Sequence, residues 1–273
     1  MNINCNGNLI DLSTPKVMGI LNVTPNSFYD GGKHKEINSI IHQVDKMLSE
    51  GADFIDIGAY SSKPSAEFVS EEEEIKRLVP IVKSLVETFP NIILSVDTFR
   101  AQVAKASVEH GVAMVNDIAA GLLDDKMLET VAELKVPYIM MHMRGNPQTM
   151  QSLTDYNDIV KEMIFYFSER IQKARSFGIS DIVIDPGFGF AKTLEQNYEV
   201  LHKMELFSML ELPLLAGISR KSMIYKVLES SPQEALNGTS VLNTIALQNG
   251  AKILRVHDVK EAVECIKLVS KLK

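Results

Sequence analysis

The sequence predicts an α/β fold, a single (β/α)8 TIM barrel, and three observations carry that expectation. Eight short apolar, β-branched runs recur along the chain, their starts lie 20 to 44 residues apart, and each run ends in polar residues. Intervals of that size leave room for a strand, a loop and a helix, the pattern of parallel βα units, whereas hairpins return sooner. Eight such units in 273 residues close into a barrel, since an open doubly wound sheet usually has about five or six strands.

Taken in order, residues 1–16 are polar and short of helical pattern, and are expected to form a β-like cover over the barrel's bottom. The strands then read VMGILNVT (17–24), ADFIDIGA (52–59), IILSVDTF (92–99), VAMVNDIA (112–119), PYIMMHM (137–143), DIVIDPGFG (181–189), PLLAGISR (213–220) and KILRVHD (252–258). Helix starts are marked by Ser70 before four glutamates, Ser231 before Pro232 and Glu234, and Asp258 before Glu261, each an N-cap with an acidic residue at the capping-box position. Gly51, Gly111, Gly178 and Gly250 stand just before new strands, where a helix C-cap favours positive φ. No Pro/Gly/Ser-rich stretch divides the chain, so residues 1–273 are read as one domain.

Composition narrows the function classes. With 45% hydrophobic and 23% charged residues, the chain has enough apolar surface for one large core. Lys plus Arg is 28 and Asp plus Glu is 35, a net charge of −7, which disfavours non-specific nucleic-acid binding. Cys5 and Cys265 stand at opposite ends without metal-ligand spacing, so neither a disulfide framework nor a zinc site is expected, and a cytoplasmic protein fits. The N-terminus is too polar for a signal peptide and no long apolar run is present, so neither secretion nor membrane insertion is expected.

In such barrels the site is built at the C-terminal ends of the strands. The polar residues there are Asn22, Asp56, Asp97, Asn116, His142 with Arg144, Asp185, Lys221, and Arg255 with His257. Amides and carboxylates on the third, fourth and sixth strands suit a polar heteroaromatic ring. Lys221, Arg255 and His257 on the seventh and eighth form a cationic wall, where barrels commonly hold phosphate. Blander roles compete at several positions. Asp97, Asp185, Asn116 and Asp117 also read as caps or loop anchors, and His142, after four apolar residues, as an interior histidine. Glu71–Glu74 read as a solvated first helical turn, and Met140, Met141 and Met143 as barrel filling.

The segments NVTPNSFYDGG (22–32), DIGAYSSKP (56–64), SVDTF (95–99), VNDI (115–118), DPGFGF (185–190), GISRKS (217–222) and RVHD (255–258) resemble the dihydropteroate synthase family, in order along nearly the whole chain. The resemblance implies a transferase of folate synthesis. In that reaction p-aminobenzoate displaces diphosphate from 6-hydroxymethyl-7,8-dihydropterin diphosphate through a pterin carbocation. It implies Asp97, Lys221, Phe28 and Asp30 as catalytic, and Asp97, Asn116, Asp185, Lys221 and Arg255 around the pterin. Asn22, Arg255, His257, Ser62 and Lys63 would meet the diphosphate, with Asn22 also a Mg2+ ligand. Phe28, Lys63, Pro64, Phe190, Lys221 and Ser222 would meet p-aminobenzoate. It further implies small-molecule substrates and a homodimer packed through the late helices. The chain departs from the family at GAYSSKPS (58–65), where GGESTRPG is usual, so Lys63 replaces an Arg and loses its fork, and at Asn26, where Asp is usual. Two other readings use the same ring-reading residues: a pterin-dependent methyl transfer to a corrinoid, which needs no phosphate wall, and a non-catalytic pterin carrier.

Overall fold

The structure is a computed structural model that describes residues 1–23, 33–60 and 69–272. It begins with an antiparallel pair, β1 (Asn2–Cys5) and β2 (Asn8–Asp11). Eight parallel strands follow: β3 (Lys16–Asn22), β4 (Phe54–Gly58), β5 (Leu94–Asp97), β6 (Met114–Asp117), β7 (Tyr138–Met141), β8 (Ile182–Asp185), β9 (Leu214–Ala216) and β10 (Ala251–Val256). They close in sequence order, β10 pairing with β3, so the predicted barrel and all eight predicted strands are present.

Between them run α1 (Lys33–Ser49), α2 (Glu71–Thr88), α3 (Ala101–Val108), α4 (Met127–Leu134), α5 (Ile159–Ser176), α6 (Leu194–His202), α7 (Ser222–Tyr225) and α8 (Leu236–Gln248), and α9 (Val259–Val269) closes the chain. Ser70 caps α2 as expected, its hydroxyl accepting from Glu73 N at 3.2 Å. The four C-cap glycines all have φ near +100°. Two helix starts differ. Ser231 forms the expected capping box, Glu234 Oε2 accepting from its N at 3.1 Å, but it opens only a 3-10 turn, Pro232–Glu234, and α8 begins at Leu236. Asp258 caps nothing with its side chain, because both carboxylate oxygens hold Arg220 at 2.8 Å.

Period-two alternation along these short strands fixes what faces inward. Met18, Phe54, Met114, Ile139, Val183, Leu215 and Ile253 form an apolar floor, sealed from below by Ile3, Cys5 and Leu12 of the N-terminal segment. Asn4 N donates to Asp181 Oδ2 at 2.8 Å and ties that segment to the foot of β8. The expected bottom cover is thus a hairpin. The alternate residues, such as Ile55, Ile57, Val96, Val115, Ile184 and Leu254, pack outward in the main core against the helices. Met140 joins that outer layer, whereas Met141 and Met143 lie in a small cluster with Ile118, Ala119, Met150 and Ala191; only Met141 continues the inward row, above Ile139.

The glutamate run is only partly solvated. Glu74 is buried and pairs with Arg100 Nη1 at 2.7 Å. It stands one turn before Leu78 on the face that also buries Ile81, Val82 and Leu85, so helical periodicity carries it inward.

Candidate active site at the barrel mouth

One step of two residues above the floor, the inward side chains turn polar. Phe54 is followed by Asp56, Met114 by Asn116, Val183 by Asp185 and Ile253 by Arg255, while Asp97 ends β5 beside Asn116 in register. Arg255 holds the group together. Its Nε donates to Asp56 Oδ2 and its Nη2 to Asp97 Oδ2, both at 2.6 Å. Asn116 Nδ2 donates to the same Asp56 oxygen at 2.9 Å, leaving Asp56 Oδ1 buried without a partner among the described residues. Asp56 is fully buried. The sequence shows it as a strand-end carboxylate and points to no role for it; the alternation in FIDIG is the signal that turns it inward.

Asp185 Oδ1 accepts from Gly187 N at 2.8 Å, which curls the segment after β8 back across the mouth. Lys221, the residue before α7, reaches the Phe188 carbonyl and lies 4.9 Å from the Phe190 ring centre. Ser222 follows it, half-buried at the start of α7. His257 lies beside Ser219, whose hydroxyl is 3.0 Å from Nδ1. Asn22 is exposed at the end of β3. Asp97, Asn116, Asp185, Lys221, Arg255 and His257 therefore share one mouth with Asn22, Phe190 and Ser222 around it. Phe28, Asp30, Ser62, Lys63 and Pro64, with Asn26, lie outside the described residues.

Electrostatics refine the expected cationic wall. Arg255 turns toward the carboxylates, and they raise its pKa further. Partial burial and the Arg255 guanidinium lower the His257 imidazole, so it is not a standing cation at neutral pH. Burial pushes Asp97 up to about 7 against the pull of Arg255, and pushes Lys221 down to about 8 against the pull of Asp185. If the Lys221 ammonium is required, kcat/KM falls as pH rises through about 8. A pH–rate profile checks this; the alkaline limb should leave the accessible range in Lys221→Arg, and a limb unmoved by that change assigns it elsewhere.

Three polar strand-end residues do not join the site. Asp117 faces outward and accepts from Ala119 N, Gly121 N and the Tyr138 hydroxyl, so of the four candidates for a loop-anchoring role it is the one that takes only that role rather than joining the site. Arg144 stacks 3.7 Å over the Tyr156 ring and pairs with Glu162. His142 is an interior histidine whose Nδ1 faces Lys192 Nζ at 3.1 Å.

The sequence profile described as "Pterin binding enzyme" matches residues 18–257. The dihydropteroate synthase of Escherichia coli (strain K12) is 43% identical over 271 residues, 98% of this chain and 95% of that protein. The chain belongs to the dihydropteroate synthase family. The dihydropteroate synthase of Synechocystis sp. is 45% identical over 259 residues, covering 94% of this chain and 89% of the relative. Among solved members, the Yersinia pestis dihydropteroate synthase with a sulfonamide drug complex superposes with a TM-score of 0.93 at 42% identity, covering 100% and 99% of the two chains. The Xanthomonas albilineans enzyme in complex with 7,8-dihydropteroate gives 0.88 at 36% identity, covering 100% and 98%.

Proposed function

We infer that the chain joins p-aminobenzoate to 6-hydroxymethyl-7,8-dihydropterin diphosphate, yielding 7,8-dihydropteroate and diphosphate. The observation that carries this reading is the inward cluster of Asp56, Asp97, Asn116, Asp185, Lys221 and Arg255. It supplies acceptors and donors for the edge of a pterin, with a planar guanidinium available to its face. Family membership supports the reaction class.

In this reading the carbon–oxygen bond to diphosphate breaks first and its electron pair leaves with the phosphate. The cation left on the exocyclic carbon is delocalised into the pterin, and an ionised Asp97 stabilises it. The neutral aniline nitrogen then forms the new carbon–nitrogen bond and sheds its proton. Asn22, Arg255 and His257 hold the leaving group, with Ser62 and Lys63; Phe190, Lys221 and Ser222 meet p-aminobenzoate, with Phe28, Lys63 and Pro64. Phe28 and Asp30 complete the catalytic set from the segment after β3.

Asn22 offers one amide oxygen, and among the described residues no three His, Cys, Asp or Glu side chains gather as a metal cage. That donor set fits Mg2+ brought on the diphosphate, which Asn22 would hold as the protein ligand. Bound there, the ion would neutralise charge on the leaving group. Val227, Leu228, Val241 and Leu268, exposed on or beside α7 to α9, support a homodimer packed through the late helices. Both cysteines are free and buried, in keeping with a cytoplasmic setting. No helix among the described residues is long and apolar enough to cross a membrane.

Mixing the protein with both substrates and Mg2+ and analysing products by mass spectrometry tests the reading; unchanged substrates would overturn it. Asp97→Asn is expected to lower kcat by about 10-fold or more while the thermal melt stays near that of the parent, because the lost charge acts mainly on the transition state. An asparagine variant with full turnover removes Asp97 from the catalytic role.

A further inference from the structure

Lys192 is a buried lysine that the catalytic reading leaves unused. Its ammonium has three N–H donors and three acceptors around it: the Gly187 carbonyl at 3.0 Å, the Phe190 carbonyl at 3.0 Å and His142 Nδ1 at 3.1 Å. Burial holds His142 well below its ordinary pKa, so the ring is neutral, and in the tautomer protonated on Nε2 its Nδ1 accepts from Lys192. Burial also draws Lys192 down to about 7 against the pull of Asp185, so the three-donor form prevails below that pH. Among the described residues no carboxylate contacts the ammonium directly. A surface lysine would serve solubility; a desolvated one with two donors on a single turn and the third on the neighbouring strand end ties that turn to the barrel and fixes its shape.

The turn matters because of what it carries. Gly187 to Phe190 crosses the barrel mouth, anchored at one end by Asp185 Oδ1 on Gly187 N and from behind by Asn197 Oδ1 on Gly189 N at 2.7 Å. Lys192 grips the first and last carbonyls of the same four residues. Between them, the Phe188 carbonyl receives Lys221 Nζ, and the Phe190 ring lies under that ammonium. Without the clamp, both the apolar ring and the acceptor that aims Lys221 lose their common frame. The strand-borne Asp97, Asn116 and Arg255 do not depend on it.

We propose that Lys192 is a positioning residue: by clamping the Gly187 and Phe190 carbonyls it sets the Phe190 ring and Lys221 for the second substrate, and so governs p-aminobenzoate affinity. This rests on the functional reading above. The decisive comparison is parent against Lys192→Met, which keeps the length and removes the donors. In two-substrate kinetics the KM for p-aminobenzoate is expected to rise about 10-fold, the scale of a lost charge-assisted bond, while the KM for the pterin diphosphate rises by clearly less, because of the pterin-facing groups only Lys221 is aimed by the turn and Asp97, Asn116 and Arg255 stay on their strands. A folded variant with an unchanged KM for p-aminobenzoate, or with both KM values raised equally, overturns the proposal.

A second readout is independent of turnover. The chain has no tryptophan, so Phe190→Trp places a lone indole at the ring, excited selectively at wavelengths where the seven tyrosines do not absorb. Its anisotropy is expected to fall when Lys192→Met is added, and an unchanged anisotropy counts against the clamp. If Lys192→Met does not accumulate as folded protein, His142→Leu removes one acceptor and leaves the ammonium in place. A smaller shift of the same kind is then expected, and no shift overturns the proposal. Should the parent make no dihydropteroate, the functional reading fails, while the anisotropy still decides whether Lys192 orders the turn.

Discussion

Arg255→Met is expected to lower folding stability by about 3 kcal/mol and turnover by about 100-fold or more, since removing one partner of a buried ion pair strands the other. Arg255 is the only group bonded to both Asp56 and Asp97 among the described residues, and the Asp56 side chain has no exposure to solvent. The guanidinium also opposes the desolvation that lifts Asp97 to about 7. Its loss raises that carboxyl further, so above pH 7 the parent's Asp97 is ionised in the fold while the variant's holds its proton. A group whose folded pKa is raised loses stability as pH rises toward that pKa, and here the extra loss accrues above about 7. The deficit should therefore be larger at pH 8 than at pH 6. Urea unfolding at the two pH values checks this, and equal deficits would show that charge pairing is not what Arg255 supplies.

Gly187→Ala is expected to cost roughly 3 kcal/mol or more and to abolish most activity, because left-handed strain and overpacking add at one position. Gly187 has φ +66°, and a Cβ there would sit 2.3 Å from the His142 carbonyl oxygen and 3.0 Å from Met141 Cγ. A backbone oxygen at that distance cannot give way without moving the strand end that carries it. Gly189→Ala is the control: its φ is +83°, but its nearest new neighbour is Lys221 Cδ at 3.5 Å. That substitution should cost only the conformational penalty, about 1–2 kcal/mol. Denaturant midpoints compare the two; equal costs would mean that the clash is relieved cheaply.

Most of this architecture was legible because a parallel barrel writes itself as a repeated pattern. The eight runs, the C-cap glycines and the polar strand ends required only periodicity, and Asp97, Asn116, Asp185 and Arg255 emerged from it directly. Side chains whose surroundings come from distant segments were harder. Arg255 looks like part of a cationic wall in RVHD, and only the closed sheet, which brings β10 near β4 and β5, turns it onto two carboxylates. Lys192 carries no local signal, since a lysine between a strand and a helix reads as solvated. Glu74 did carry one, in its helical spacing from Leu78, but the charge run around it obscured the periodicity. Asp258 shows the converse: a cap-forming residue is satisfied elsewhere when a stronger partner is near, as Arg220 is for Asp258.

The two-residue step between floor and mouth has an evolutionary consequence. On β6, β8 and β10 the inward side chain below a polar mouth residue is already part of the hydrophobic floor, as Met114 is below Asn116 and Ile253 below Arg255. No neutral layer separates the two. A methyl gained or lost at Met114, Val183 or Ile253 is therefore transmitted upward to a mouth residue, and interiors this dense pass on small volume changes rather than absorbing them. Drift in the floor becomes a route by which a lineage can retune ligand discrimination while every residue that touches the ligand stays the same.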